Sequence, residues 1–174
     1  MIVAIDGPAG SGKSAVGRRV AEALGLPFVD SGLFYRAVAC LVLGEDVDPS
    51  DAEGVTAVAR RAFVRVEGRR VWADGAELSE RVYGPGIDEG ASRVAAVPGV
   101  RAAMLGQQRR LGRTGVVMAG RDIGTVVFPQ ADHKFFLTAG LEERARRRSL
   151  QYERRGGRVD MEEVVKDVAA RDRA

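Results

Sequence analysis

Gly7-Pro8-Ala9-Gly10-Ser11-Gly12-Lys13-Ser14 is the stretch whose reading decides the fold. It matches G-x-x-x-x-G-K-[ST] at every fixed position, and its flanks supply the strand and helix that this pattern requires. Before it, Ile2 to Asp6 is a short apolar run that reads as a buried strand. After it, Ser14 to Leu24 carries Val16, Val20, Ala21 and Leu24 on one helical face and stops at Gly25. Glycines let the backbone curl until successive N–H groups point at one anion, and the helix N-terminus adds its partial positive charge. Lys13 is placed to reach the outer phosphates of a nucleoside triphosphate, and the Ser14 hydroxyl to help hold Mg²⁺. The residues expected around the phosphates are therefore Gly7, Pro8, Ala9, Gly10, Ser11, Gly12, Lys13, Ser14 and Ala15. A shorter pattern overlaps: Gly10-Ser11-Gly12-Lys13-Ser14-Ala15 fits G-x-G-x-x-G/A, with Asp30 ending a second strand, the outline of a dinucleotide fold. The full loop with its Lys-Ser pair is the more specific of the two.

Working outward, Pro27-Phe28-Val29 is a second strand and Phe34 to Leu43 a helix, so strand and helix alternate as in a parallel α/β sheet. The middle differs. Phe63-Val64-Arg65-Val66 and Arg70-Val71-Trp72-Ala73 flank Glu67-Gly68-Arg69 as a hairpin, and Asp74-Gly75 is a further turn. Glu80 to Arg113 is mainly helical, with Val94, Val97, Val100, Met104 and Leu111 apolar. Residues 60–100 thus read as an insert on a core of 1–59 and 101–174. Gly115 to Ala119 is a third core strand and Phe135-Phe136-Leu137-Thr138 a fourth. Leu141 to about Tyr152 is a basic helix. Asp160 caps a last helix reaching Arg173, with Glu162 and Glu163 in its first turn.

Two polar clusters follow strands, where ligands of open α/β sheets sit. Asp30-Ser31-Gly32-Leu33-Phe34-Tyr35-Arg36 suits a second anion, or equally an N-capping aspartate and a surface arginine. In Gly120-Arg121-Asp122-Ile123-Gly124-Thr125, an arginine and an aspartate can serve a phosphate and a base edge. Arg144, Arg146, Arg147, Arg148, Arg154, Arg155 and Arg158 crowd a stretch whose only acid is Glu153. A solvated helix face accounts for most of them; a lid over 148–158, hinged at Gly156-Gly157, accounts for the rest.

Composition sets bounds. The 174 residues suit one domain with room for an insert, 45% hydrophobic and 29% charged, with a formal net charge of +3 that points to neither nucleic acid nor membrane. Lysines are confined to Lys13, Lys134 and Lys166; the other basic residues are arginines, whose planar fork matches phosphate. Cys40 is the sole cysteine and sits in an apolar run, and no signal or membrane-spanning stretch is visible, so a cytoplasmic location is expected. His133 is the sole histidine, which leaves no histidine-based metal site or triad.

Several blocks, in order along nearly the whole chain, resemble the bacterial cytidylate kinase family. They are Gly7 to Ser14, Asp30-Ser31-Gly32 with Tyr35-Arg36-Ala37, Ala91-Ser92-Arg93-Val94-Ala95, Val100-Arg101, the run from Gly120 through Val126-Val127-Phe128 to Pro129, Lys134 to Ala139, and Glu142 to Ala145. The resemblance implies a P-loop NTPase three-layer α/β fold of nucleoside-monophosphate kinase type, with an antiparallel acceptor-binding insert and an arginine-rich lid. It implies ATP and Mg²⁺ as cofactors, CMP or dCMP as acceptor, and a monomer. By similarity, Ser92, Arg101 and Asp122 would face the cytosine. Arg36 and Arg121 would hold the acceptor phosphate beside Ser31, with Lys13 and Arg121 as catalytic residues.

Two departures stand out. The family usually carries an acid just before Gly-Arg-Asp, and here that position is Ala119. Family members also continue past Arg171-Asp172-Arg173-Ala174 with another phosphate-binding arginine, a core strand and a closing helix, so a strand and a helix are expected to be missing. A shikimate kinase-like enzyme, a P-loop switch or ATPase, and a non-catalytic nucleotide-binding remnant are the rival expectations.

Overall fold

The apolar run ahead of the loop forms β1 (Ile2–Asp6), buried from Val3 onward. The computed structural model describes residues 1–84, 86–153 and 160–173. From β1 the chain passes through the loop into α1 (Lys13–Leu24), β2 (Phe28–Asp30), α2 (Gly32–Gly44) and α3 (Ala52–Arg61). Three short strands follow, β3 (Val64–Glu67), β4 (Arg70–Ala73) and β5 (Ala76–Glu77), then α4 (Ile87–Ala96) and α5 (Pro98–Arg110). Last come β6 (Val116–Gly120), β7 (His133–Phe136), α6 (Leu141–Glu153) and α7 (Met161–Arg173).

Four strands make one parallel sheet in the order β2-β6-β1-β7. Alternation along the strands sends side chains to two faces. Ala4, Val29, Val116 and Met118 join the core under α2, while Val3, Ile5, Val117 and Ala119 join Ala21 of α1 on the other side. Helices therefore cover both faces, and the expected three-layer α/β arrangement holds. β6 lies between β2 and β1, with Asp6 paired to Gly120. The loops leaving β1 and β6 thus begin side by side.

The first helix turns a narrower face inward than expected. Gly17 and Ala21 are buried, whereas Val16 and Leu24 are 43% and 44% exposed. The cause is the close approach of α1 to β2: a Cβ on Gly17 would lie 2.4 Å from the Phe28 ring. The fourth core strand also starts earlier than expected. β7 pairs with β1 from His133 to Phe136, and Leu137 adds only one N–H bond, to the Asp6 carbonyl at 2.7 Å. All four β7 residues are exposed.

The antiparallel sheet β3-β4-β5 matches the hairpin reading, with Val64 opposite Ala73 and Val66 opposite Val71. These four inward residues pack into the same core as Phe34, Ala37 and Val38 of α2. Asp74 and Gly75, at φ 51° and 83°, form the turn into β5, the positive-φ geometry that short hairpins favour. Arg65 and Arg70 lie over Trp72, 4.1 and 4.7 Å from its ring centroid. The Asp160 carboxylate accepts the Glu162 N–H at 2.8 Å and caps α7 as expected. Of the expected lid, Arg154, Arg155, Gly156, Gly157 and Arg158 lie outside the described residues. Among the described residues no helix is long and apolar enough to cross a membrane.

Candidate active site

The loop between β1 and α1 takes its shape from glycines at positive φ: 148° at Gly7, 78° at Gly10 and 100° at Gly12. Gly12 stands at the N-cap of α1 with no side-chain cap, so the leading N–H groups of the helix are left for an anion. The Ser11 hydroxyl is buried and has no hydrogen-bond partner among the described residues. Lys13 Nζ donates to the Pro8 carbonyl at 2.7 Å and so curls back over the loop. Burial lowers the Lys13 ammonium pKa; Asp30 opposes this, Arg121 reinforces it, Asp6 opposes it and Arg144 again reinforces it. Arg121 and Lys13 come from distant parts of the chain, on loops that leave the sheet from the paired ends of β6 and β1.

The Ser14 hydroxyl donates to Asp30 at 2.8 Å, and the other Asp30 oxygen accepts the Gly32 N–H at 3.0 Å. Ser31 rather than Asp30 stands at the N-cap of α2; Asp30 precedes it, accepts the N–H of the first helical residue and is a neighbour of the phosphate loop. An uncapped helix end, an orphaned hydroxyl and a hydroxyl–carboxylate pair together fit a magnesium–triphosphate. Among the described residues no three His, Cys, Asp or Glu side chains converge on a metal-sized site by themselves. Ala119, in register with Asp30, is buried and packs into the apolar cluster beneath α1. Asp30 is the acid that the sheet places beside that position.

The acceptor-side residues fall into two groups. Arg101 on α5 is ion-paired to Asp122 in the loop after β6, so two of the three residues expected at the base meet directly. Arg36 on α2 is paired with Asp88 on α4, donates to the Val82 carbonyl at 2.7 Å and lies over the Tyr83 ring. Arg148 of α6 reaches the other Asp88 oxygen at 3.1 Å. Ser92, one turn beyond Asp88, donates back to the Asp88 carbonyl at 3.0 Å. Ser31 is buried against Gly120, where a Cβ would lie 2.5 Å from its hydroxyl oxygen.

Asp88 was not among the residues that the sequence singled out. Burial alone would raise its carboxyl pKa, but Arg36 and Arg148 more than offset this and hold it below the ordinary carboxylate value. Its contribution to stability is thus present above the unfolded value of about pH 4 and fades as the pH falls through the lower folded value. Asp88→Asn should accordingly flatten the acid side of a plot of urea midpoint against pH. Parallel curves for the two proteins would show that the pair carries no such stability.

α6 lies against the phosphate loop. Arg147 donates to the Ser11 carbonyl at 3.2 Å and Arg144 to the Ala9 carbonyl at 3.4 Å. Arg144 is buried and grips Asp172 of α7 through two bonds of 2.9 and 2.6 Å. Arg146 pairs with Glu143 on the helix surface, the solvated-face reading of this charge run.

The family model for cytidylate kinase matches residues 3–174. The chain belongs to the cytidylate kinase family. It is 45% identical to the cytidylate kinase of Caldanaerobacter subterraneus subsp. tengcongensis over 98% of this chain and 76% of that protein. It is 48% identical to the cytidylate kinase of Thermus thermophilus over 98% of this chain and 81% of that protein. A bifunctional pantoate ligase/cytidylate kinase of Synechococcus sp. is 44% identical over 99% of this chain, which spans 33% of its length. The resemblance read from the loop and from the Gly-Arg-Asp block is thereby settled at family level, as is the expectation of a phosphotransferase.

Proposed function

We propose that the chain transfers the γ-phosphoryl group of ATP to the phosphate of CMP or dCMP, giving ADP and CDP or dCDP. The observation that supports this reading is the register of Asp6 with Gly120, which starts the loops bearing Lys13 and Arg121 side by side. Cations carried on two adjacent loops suit an oxyanion bound between them. Phosphoryl transfer asks for positioning and charge neutralisation rather than covalent help.

The loop from Gly7 to Ala15 wraps the donor phosphates, with Lys13 on the outer ones. Mg²⁺, when bound, neutralises charge on the donor phosphates, and Ser14 with its Asp30 partner is the place for it. The acceptor phosphate takes over Arg36 from Asp88, one oxyanion exchanging for another on the same guanidinium, and Arg121 clamps its other side. Cytosine lies against Arg101, Asp122 and Ser92, with Ser31 lining the pocket. No general base is required, because a phosphate monoester is already ionised near neutral pH. The protein works as a monomer in the cytoplasm, where ATP and CMP are supplied.

A coupled ADP-release assay across CMP, dCMP, UMP, AMP and shikimate tests this. Turnover with CMP and dCMP, and background rates with AMP and shikimate, is the expected pattern. ADP release that ignores the acceptor would overturn it. Asp122→Ala should raise KM for CMP roughly tenfold or more while KM for ATP stays within about twofold. The opposite split would remove Asp122 from the base pocket.

A further inference from the structure

Asp6 is buried at the end of β1, one residue before the phosphate loop. Its carboxylate accepts the Ile123 N–H at 2.7 Å on one oxygen and the Gly124 N–H at 2.8 Å on the other. These residues directly follow Arg121-Asp122 and open a single wide turn, Ile123–Val127. That turn closes through the Val127 N–H on the Asp122 carbonyl at 3.2 Å and the Phe128 N–H on the Ile123 carbonyl at 2.7 Å. The leading N–H groups of such a turn have no partner within it, and a carboxylate can accept two adjacent ones. The fit is close: a Cβ on Gly124 would lie 3.3 Å from Asp6 Oδ2 and 3.1 Å from Lys134 Cδ.

We propose that Asp6 is a positioning residue that fixes Arg121 and Asp122 against the phosphate loop, so that donor and acceptor loops hold one geometry. The inference rests on the kinase reading above and adds a residue to it. A displacement of about 1 Å between reacting groups can lower a rate on the order of a hundredfold, so a bond that sets the spacing of two loops has kinetic weight. Asparagine has the shape of aspartate, but its NH₂ would face one of the two N–H groups, so Asp6→Asn removes one bond and keeps the volume.

The experiment compares wild type, Asp6→Asn, Asp122→Asn and the double variant, using steady-state kinetics with CMP and equilibrium titration of ATP. Asp6→Asn is expected to lower kcat/KM for CMP by about 10- to 100-fold while the Kd for ATP stays within about twofold. In the Asp122→Asn background the same change should cost less than about threefold, because the two residues act through one element. Gly124→Ala presses on the Asp6 carboxylate from the other side and should reproduce the split if Asp6→Asn folds poorly. Equal losses for CMP and ATP, an unchanged kcat/KM, or full multiplication with Asp122→Asn would each overturn the proposal. A wild type inactive toward CMP would instead sink the kinase reading itself, so the two failures are distinguishable.

Discussion

Lys13→Ala is expected to lower kcat about 10³-fold, roughly 4 kcal/mol of transition-state stabilisation, with an unchanged fold. The ammonium is the one cation carried within the phosphate loop, and it is held over that loop by its bond to the Pro8 carbonyl. No helix or strand depends on it. Losing one hydrogen bond of this kind removes about 1 kcal/mol, and the burial that lowers its pKa shows that holding the charge there carries its own penalty. The melting temperature should therefore stay within a few degrees of wild type. Lys13→Met, which keeps the aliphatic stem, should behave alike. Activity near wild type in either variant would detach the loop from the chemistry. A large fall in melting temperature would show that the lysine holds the fold rather than the phosphates.

Gly7→Ala should act in the opposite way, through structure first. Gly7 has φ 148°, and an added Cβ would meet the Leu137 carbonyl oxygen at 2.0 Å. That contact is with backbone, so no side-chain rotation relieves it. The obstacle sits where β1 leaves the sheet beside β7, at the bond between the Leu137 N–H and the Asp6 carbonyl. The methyl group would push the loop away from the sheet or unpair its last rung. A loss of about 3 kcal/mol is expected, roughly 6–12 °C in melting temperature for a chain of this size, together with loss of ATP binding. Calorimetric melts with and without ATP check both halves. A variant with wild-type stability would mean that the strand end is softer than described.

The two predictions separate what the linear sequence discloses from what it withholds. The loop, its flanking strand and helix, the hairpin around Gly68 and the cap at Asp160 are local: each rests on residues within a few positions of one another. The place of Arg121-Asp122 after a core strand was legible because that strand is an apolar run. Failures came where contact is distant or where two elements approach closely. Val16 and Leu24 look inward-facing by periodicity, yet the tight seat of Gly17 on Phe28 turns α1 about its smallest residues. Asp6 reads as the polar end of a strand, because its partners Ile123 and Gly124 become visible only once β6 is set beside β1. Asp88 has no partner within its own helix, where Glu89 pairs with Arg93 instead; its two arginines come from α2 and α6. The position of β6 between β2 and β1 follows from no local signal.

β7 carries a further consequence. Among the described residues it borders only β1 in the sheet, and Phe135 and Phe136 are 57% and 72% exposed on its two faces. Aromatic rings exposed on both faces of one strand offer apolar surface to another extended segment. Its effect is colloidal: light scattering should rise with protein concentration, and a charged residue at Phe136 should suppress the rise; because Phe136 is in register with Asp6, turnover with CMP is measured on the same variant.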